Sequence, residues 1–280
     1  MSKMLITLGL VFVSLVMSPS SKAEETESEP GIHDKGSFFA YWGWNRGYYS
    51  TSDLTLEGDN YKFELNDISA SDRPSTIGID PYLNPFDMTR PQTNFRVGYF
   101  FADNYSVSFG VDHMKYIMDQ EQTAEITGQI NVGSEFDGTY NNEPFYLGHK
   151  DEEGDVTFLA FEHSDGLNYL NAEVTRFDQL HHFSENLIVS SLLGGGIGVM
   201  LPKTNATLLN NERHDDFHFS GWGTHIKGGL ELSYKSFFFR SEVKLGYIDM
   251  PDIRTTEFEA DSASQHFRFT EWTFVLGSYF

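Results

Sequence analysis

The last fifteen residues, His266–Phe280, alternate between apolar and polar or small side chains, and this alternation limits what the chain can fold into. Successive side chains of a β-strand point to opposite faces of its sheet, so a period of two predicts a strand with one apolar face. The apolar face carries Trp272, Phe274, Leu276 and Phe280, and the other face carries Glu271, Thr273, Gly277 and Tyr279. The same pattern recurs along the chain, which predicts an all-β fold.

Seven further segments carry this alternation: Ser37–Tyr49, Asn94–Ala102, Tyr105–Met118, Leu167–His181, Leu187–Leu201, Phe217–Ser233 and Ser236–Ile248. Most exceed the roughly 9–11 residues that a tilted strand needs to cross a bilayer. The connections between them run long, short, long, short, medium, short, medium, as in barrels with short periplasmic turns and long extracellular loops. The sequence therefore predicts a transmembrane antiparallel up-and-down β-barrel of eight strands. Ten strands are the alternative, if parts of the long connections join the wall.

The composition argues against several other classes of protein. Mean hydropathy is −0.38, too polar for a helical membrane protein but compatible with a barrel, in which only alternate residues of each strand meet lipid. A periplasmic β-sandwich is the competing fold, and it would have shorter strands with more frequent turns. The net charge of −22 disfavours nucleic acid as a partner, and the absence of cysteine excludes disulfides and thiolate metal sites.

The N-terminus has the features of an export signal. Lys3 supplies a positive start, Leu5–Met17 forms a short apolar run, and Ser21-Lys22-Ala23 is suited to cleavage. The run is shorter than the roughly 20 apolar residues of a spanning helix. We therefore expect a cleaved signal peptide at residues 1–23, a periplasmic leader at 24–35 and the barrel at 36–280, which predicts an outer-membrane location.

Charged side chains alternate onto the inward face of the predicted strands. They are Arg96, Asp112, Glu173, Lys227, Glu231, Arg240, Glu242, Lys244 and Glu271. Because charges in a low dielectric must pair, we interpret them as a structural salt-bridge network, with a narrow solute or proton path as the alternative. A two-residue turn at Tyr234-Lys235 would place Lys227 opposite Glu242 and Glu231 diagonal to Arg240. The glycines at 194, 196 and 198 would leave room for long neighbours such as Arg240.

The closing strand with its terminal Phe280 resembles the last strand of bacterial outer-membrane barrels. The whole mature chain is similar in plan to the OmpA-barrel, OmpX and OmpW-like families, without a diagnostic motif for any one of them. The resemblance implies that Trp272, Phe274, Leu276 and Phe280 are the signal presented to the β-barrel assembly machinery. It also implies contact with outer-membrane lipid and lipopolysaccharide, and Arg46 at the outer end of the first strand is a candidate phosphate contact. The oligomeric state stays open.

His218-Phe219-Ser220 resembles the His-x-Ser arrangement of the outer-membrane acyl hydrolases, the lipid A deacylases and outer-membrane phospholipase A. The resemblance implies Ser220 as nucleophile and His218 as its base, both on the lipid face with Trp222. The chain departs from the pattern because Gly221 follows the serine where those families carry asparagine. The next strand also offers no acid or amide at the expected parity.

The connection from Asp119 to about Gly166 is strongly acidic. Its carboxylates include Glu121, Glu125, Glu135, Asp137, Glu143, Asp151, Glu152, Glu153 and Asp155, against Lys150 alone. Such loops could bind Ca²⁺, although no EF-hand-like spacing is present. The sequence favours a non-enzymatic barrel with a structural or surface-recognition role through these loops. Two alternatives are an acyl hydrolase that uses His218 and Ser220, and a narrow channel or small hydrophobic-ligand carrier.

Overall fold

The computed structural model describes residues 32–76, 91–211 and 214–280, so the expected signal peptide and most of the leader lie outside the described residues. Within these ranges, no helix is long and apolar enough to cross a membrane. The strands are β1 (Phe38–Tyr49), β2 (Ser52–Gly58), β3 (Tyr61–Ile68), β4 (Ala70–Ser71), β5 (Thr93–Ala102), β6 (Tyr105–Met118), β7 (Thr123–Ile130), β8 (Gly138–Tyr146), β9 (Leu159–Ser184), β10 (Leu187–Met200), β11 (Lys203–Leu208), β12 (His214–Phe217), β13 (Gly221–Tyr234), β14 (Phe237–Arg254) and β15 (Ser262–Tyr279).

Eight of these strands form a closed antiparallel ring. They follow one another in chain order as β1, β5, β6, β9, β10, β13, β14 and β15, and β1 pairs with β5 on one side and with β15 on the other. The pairing runs from Phe39 opposite Tyr279 to Tyr49 opposite Phe269, so β1 meets β15 along nearly all of its own length. Closure leaves no unpaired edge in the ring. The predicted eight-stranded, all-β antiparallel barrel is confirmed.

The two ends of the ring differ. At one end, here called the turn end, the two-residue turns Asp103-Asn104, Glu185-Asn186 and Lys235-Ser236 lie beside the start of β1 and the end of β15. Asn104 and Lys235 adopt positive φ angles of 64° and 53°, as tight hairpins require. The ring strands that flank each long connection end and begin at the other end, as the sequence pattern predicts.

The outer wall of the ring carries an apolar band. Inward positions of the ring strands are buried, and the alternate outward positions expose large apolar side chains. The band includes Phe95, Val97, Phe109, Val174, Leu193, Ile197, Ile226, Leu230, Leu232, Phe239, Val243, Leu245, Trp272 and Leu276. A contiguous apolar surface of this extent requires a nonaqueous cover.

Beyond the band, the described parts of the long connections contain further strands. At the outer end of β15 the sheet continues through β2, β3, β7 and β8, while β11 and β12 continue it from β9. These strands, with the outer ends of the ring strands, form what we call the extension. Much of the predicted long connections is therefore folded as strands. In the sequence, the Gly58-Asp59-Asn60 turn signal between Leu54–Glu57 and Tyr61–Leu65 predicts the hairpin of β2 and β3, and the alternation near residues 124–132 is compatible with β7.

The extension has its own apolar core. Leu56, Phe63, Leu65 and Ile126 of the added strands pack with inward side chains from the outer ends of the ring strands, such as Phe267. The acidic side chains lie on the opposite faces of the same strands: Glu125 is exposed beside the buried Ala124 and Ile126. β2, β3 and β7 therefore alternate like half-buried strands of a soluble protein.

Candidate functional site: the barrel interior

The interior of the ring is packed in three levels between the turn end and the extension. The level at the turn end is aromatic and contains Phe39, Tyr41, Phe100, Phe177, Phe238 and Tyr279, with Leu192 and Val275. Two inward glycines make this packing possible. A Cβ on Gly98 would overlap the ring of Phe39, and a Cβ on Gly277 would overlap the ring of Phe238.

His33 enters this aromatic level from the end of the predicted leader. Its ring lies 4.5 Å from that of Phe177 and 5.4 Å from that of Phe100. Nε2 lies 2.9 Å from Glu231 Oε1, and the His33 carbonyl accepts a hydrogen bond from the Asn104 backbone N–H. The segment 32–35 therefore closes the turn end. A single histidine in a polar leader carries no sequence pattern from which this contact could be predicted.

The middle level holds the nine charged residues predicted to face inward, which we call the charge layer, and the structure buries all of them. Glu173 is its central member. One of its oxygens lies 2.9 Å from Arg96 Nη2 and 3.0 Å from Lys244 Nζ, and the other lies 2.7 Å from Lys227 Nζ. A carboxylate that contacts three cations offsets much of the cost of desolvating them.

A second group surrounds Asp112. Lys244 Nζ donates to its Oδ2 at 2.5 Å, and Asn94 Nδ2 donates to its Oδ1 at 2.7 Å. Asn94 Nδ2 also donates to Glu271 Oε1 at 2.9 Å. Asn171 joins this group with Arg96, from whose Nη2 it accepts a hydrogen bond at 2.7 Å. Neutral amides thus link the charged side chains into one network, and sequence reasoning passed over them because it selected charge alone.

The third group joins the charge layer to the aromatic level. Arg240 Nε donates to Glu231 Oε2 at 2.5 Å, and Arg240 Nη2 donates to the Tyr279 hydroxyl at 3.0 Å. The guanidinium carbon also lies 4.1 Å from the centre of the Phe238 ring and 4.7 Å from that of Phe39. Cation–π contacts with such rings stabilise a buried guanidinium in place of water.

The predicted register of the β13–β14 hairpin is wrong by two residues. The turn is Lys235-Ser236, so Tyr234 pairs with Phe237. Glu231 therefore lies directly opposite Arg240, and Lys227 lies opposite Lys244 instead of Glu242. The shift keeps the inward parity, so Lys227 still reaches Glu242 at 3.1 Å. Glu173 separates the two lysines that the true register brings together.

The glycine face of β10 makes room for different neighbours than predicted. A Cβ on Gly196 would lie 2.8 Å from Glu173 and from His225, and one on Gly198 would lie 2.6 Å from Asn171. These glycines accommodate side chains of β9 and β13, and Arg240 is not among the neighbours that a Cβ there would meet. His225 is a further member that the predicted network lacked: its ring lies between Glu173, at 3.0 Å, and the Tyr169 hydroxyl, at 3.0 Å.

The third level is the apolar core of the extension, which begins where Tyr169 and Phe269 cover the charge layer. Tyr169 is buried and hydrogen-bonds His225, and Phe269 is buried beside it. The interior is thus filled in sequence by aromatic rings, paired charges and an apolar core. Eight strands enclose a space that side chains of this size can fill.

The His218–Ser220 pair does not have the predicted geometry. β13 begins only at Gly221, and Ser220 is buried, whereas Trp222 is exposed on the outer wall. The Ser220 hydroxyl donates to the backbone carbonyl of His218 at 3.4 Å, while the His218 ring lies 3.0 Å from Asp252 Oδ2. The missing acid is therefore present on β14, but the ring does not bond the hydroxyl that a hydrolase would activate.

Two exposed acidic side chains of the extension accept hydrogen bonds from backbone N–H groups in their own turns. Asp137 accepts hydrogen bonds from the backbone N–H groups of Val132, Gly133 and Ser134, and these bonds lower its pKa. Asp151 Oδ1 accepts the N–H of Asp155 at 2.8 Å. Among the described residues, no three histidine or acidic side chains lie close enough to hold a metal ion.

The fold and interior define a class: a small β-barrel of the transmembrane type, with a filled interior and a folded β-sheet extension. Neither the protein-family models nor the curated proteins include a match to the chain. Solved structures of outer-membrane β-barrel proteins do match.

Ail, the attachment invasion locus protein of Yersinia pestis, is 10% identical, with 88% of this chain and 99% of Ail covered and a TM-score of 0.33. OprG of Pseudomonas aeruginosa is 12% identical, with coverage of 89% and 97% and a TM-score of 0.35. The outer membrane protease OmpT of Escherichia coli is 8% identical, with coverage of 91% and 100% and a TM-score of 0.25. These TM-scores are too low to support an argument about the fold. The fold assignment therefore rests on the hydrogen-bonded ring of strands in this chain.

Proposed function

We propose that this chain is an outer-membrane protein whose barrel is closed to solutes and holds the acidic extension above the membrane for recognition at the cell surface. One observation carries the proposal: the barrel wall continues beyond its apolar band into a sheet with its own apolar core. A connection that served only to join strands would not need this core. A rigid, charged sheet on a membrane anchor is suited to binding a partner of opposite charge.

The proposed topology places the turn end in the periplasm and the extension outside the cell. It is supported by the short turns at one end and the long connections at the other. In this arrangement the signal peptide is removed, Trp272, Phe274, Leu276 and Phe280 direct insertion by the assembly machinery, and the apolar band contacts membrane lipid. These remain proposals that follow from the location.

The closed interior favours this function over a narrow channel or carrier. Glu173 and its three cations fill the middle of the ring, and His33 and Tyr279 fill the turn end. A path for ions would have to break several buried ion pairs at once. The hydrolase alternative has less support, because the hydroxyl of Ser220 is buried away from the His218 ring.

Topology is tested by epitope insertion. A tag after Ser134, in the turn between β7 and β8, should be labelled on intact cells. A tag between Lys235 and Ser236 should be labelled only after permeabilisation. Labelling of both tags on intact cells, or of neither, contradicts the proposed orientation.

Recognition is tested through charge. Intact cells that display the chain should adhere to an immobilised cationic peptide, and replacing the exposed Glu121 and Glu125 with Gln should weaken adhesion. The matched control neutralises Asp178 and Glu185 near the turn end, which faces the periplasm in this proposal. Equal adhesion of the two variants would count against the extension as the recognising surface.

A further inference from the structure

A groove of about 650 Å³ runs along the outer wall of the barrel, across β13, β14, β15 and β1. In the strand register, Thr224, Tyr247 and Arg268 follow one another across the sheet, and Ile226, Leu245, Thr270 and Tyr48 form the next outward row toward the band. Short side chains at Thr224 and Thr270 leave a depression between the larger ones. The groove is therefore a recess in the surface that lipid would cover.

The lower part of the groove is continuous with the apolar band. Ile226 and Leu245 expose more than half of their surface, and the band continues from them through Val243 and Trp272. The upper part has a different character. Tyr48 is exposed at one wall and Tyr247 stands at the other, which is the aromatic composition of a membrane interface.

Arg268 lies at the top of the groove, exposed to the outside. Within the described residues its guanidinium has no hydrogen bond or ion pair. Asp249, on the neighbouring strand, lies opposite His266, two residues from Arg268, whereas Arg268 lies opposite Tyr247. In a chain with a net charge of −22, this exposed arginine lies above an apolar recess with no acidic partner in the described part of the chain.

We propose that this groove binds one phosphorylated lipid of the outer leaflet, with an acyl chain against Ile226 and Leu245 and a phosphate against Arg268. The inference rests on the proposed membrane location and deepens it by naming a lipid class and a contact. The guanidinium supplies the charge-assisted hydrogen bonds that phosphate prefers. The recess supplies apolar contact for a chain that enters from the bilayer. Lipid A meets both requirements, because it carries phosphates and acyl chains.

The test compares lipid binding by the full chain in detergent, measured by native mass spectrometry. Bisphosphorylated lipid A should bind about tenfold more tightly than dephosphorylated lipid A, since a charge-assisted hydrogen bond contributes at least about that factor. Arg268→Gln should remove this preference. Thr270→Trp, which fills the groove and leaves Arg268 in place, should weaken the binding of both lipids. Arg176→Gln removes an exposed arginine at the opposite rim and should change neither.

The possible outcomes distinguish a failure of the proposed lipid-binding groove from a failure of the proposed membrane location. A wild-type chain that inserts into lipid vesicles but binds both forms of lipid A equally overturns the site and leaves the location standing. The site is also overturned, and the location kept, if Arg268→Gln retains the preference or if inorganic phosphate competes as well as lipid A does. A chain that does not insert into vesicles overturns the location and the site together.

Discussion

Glu173 has more cationic partners within the barrel than any other side chain of the charge layer, and its position explains how two opposed lysines can be buried. Lys227 and Lys244 face each other across β13 and β14. Each donates to a different oxygen of Glu173, at 2.7 Å and 3.0 Å. Removing one partner of a buried ion pair leaves an uncompensated charge, which costs far more than a surface pair contributes.

We expect Glu173→Gln to lower the free energy of unfolding by about 3–5 kcal/mol, because Arg96, Lys227 and Lys244 lose their common partner. Urea unfolding of the barrel in lipid vesicles, followed by heat-modifiable electrophoretic mobility, measures the loss. Glu125→Gln, at an exposed position of β7, is the control and should stay close to wild type. Equal stability of the two variants would show that the pairing contributes nothing.

His163 predicts a pH dependence in the extension. The ring is buried, Nδ1 lies 3.0 Å from the Thr204 hydroxyl, and desolvation lowers the pKa to about 3. In the unfolded chain this histidine has a pKa of about 6.5, so below that pH it binds a proton that it does not bind in the folded chain. Stability from this residue is therefore complete above about pH 6.5 and falls by about 1.4 kcal/mol per pH unit as the pH drops toward 3.

The measurement is resistance of the extension to proteolysis between pH 7 and pH 5. His163→Gln should flatten the pH dependence, whatever its effect on stability at pH 7. His182→Gln, an exposed histidine next to the turn end, should keep the wild-type slope. A wild-type slope in His163→Gln would assign the effect to other groups.

At the scale of elements, the segment 32–35 acts as a strap across the turn end. His33 connects β13 through Glu231, β15 through Tyr279 and the turn at Asn104. His33→Ala should destabilise the barrel by about 1–3 kcal/mol, because Glu231 loses a buried partner. Thermal unfolding in detergent tests this, with the exposed Lys35→Ala as control. Similar melting temperatures for both variants would mean that the strap is not part of the folded barrel.

Strand faces could be read from the sequence, whereas registers and distant partners could not. The alternation of Glu271 and Trp272 fixes which side of β15 faces inward, because a strand has a period of two. The period of two cannot tell whether the turn lies at Tyr234-Lys235 or at Lys235-Ser236. Both registers place the same residues on the inward face. The pairing of Lys227 with Glu173 joins strands far apart in the chain, so no local pattern could reveal it.

The extension shows a second limit. Thr123–Ile130 alternates Ala124 and Ile126 with Glu125 and Thr127, which is a half-buried strand pattern. Charge and alternation favour different structures here, because the stretch carries ten carboxylates and one lysine between residues 119 and 158. A strand with one buried face tolerates acids on the other, and the apolar partner residues, such as Leu56 and Phe63, come from another part of the chain.

For the whole molecule, the filled interior predicts that the barrel does not conduct ions. Purified protein inserted into a planar bilayer should show no stepwise conductance at moderate voltage, because aromatic, charged and apolar levels close the ring in series. His33→Ala should also be silent, since it opens only the first of these levels. Discrete channels in the wild-type protein would contradict the closed interior and would favour the channel alternative.

All four tryptophans of the chain lie on the outer wall. Trp42 and Trp44 share the outward face of β1, opposite the inward Tyr41 and Asn45, and Trp222 and Trp272 are exposed on β13 and β15. The central claim is that lipid covers this wall, so the most direct measurement is quenching of tryptophan fluorescence by lipids brominated along their acyl chains. Strong quenching in vesicles of brominated lipid, relative to the unbrominated lipid, is the expected result. A folded chain whose tryptophan emission is the same in both would contradict the account.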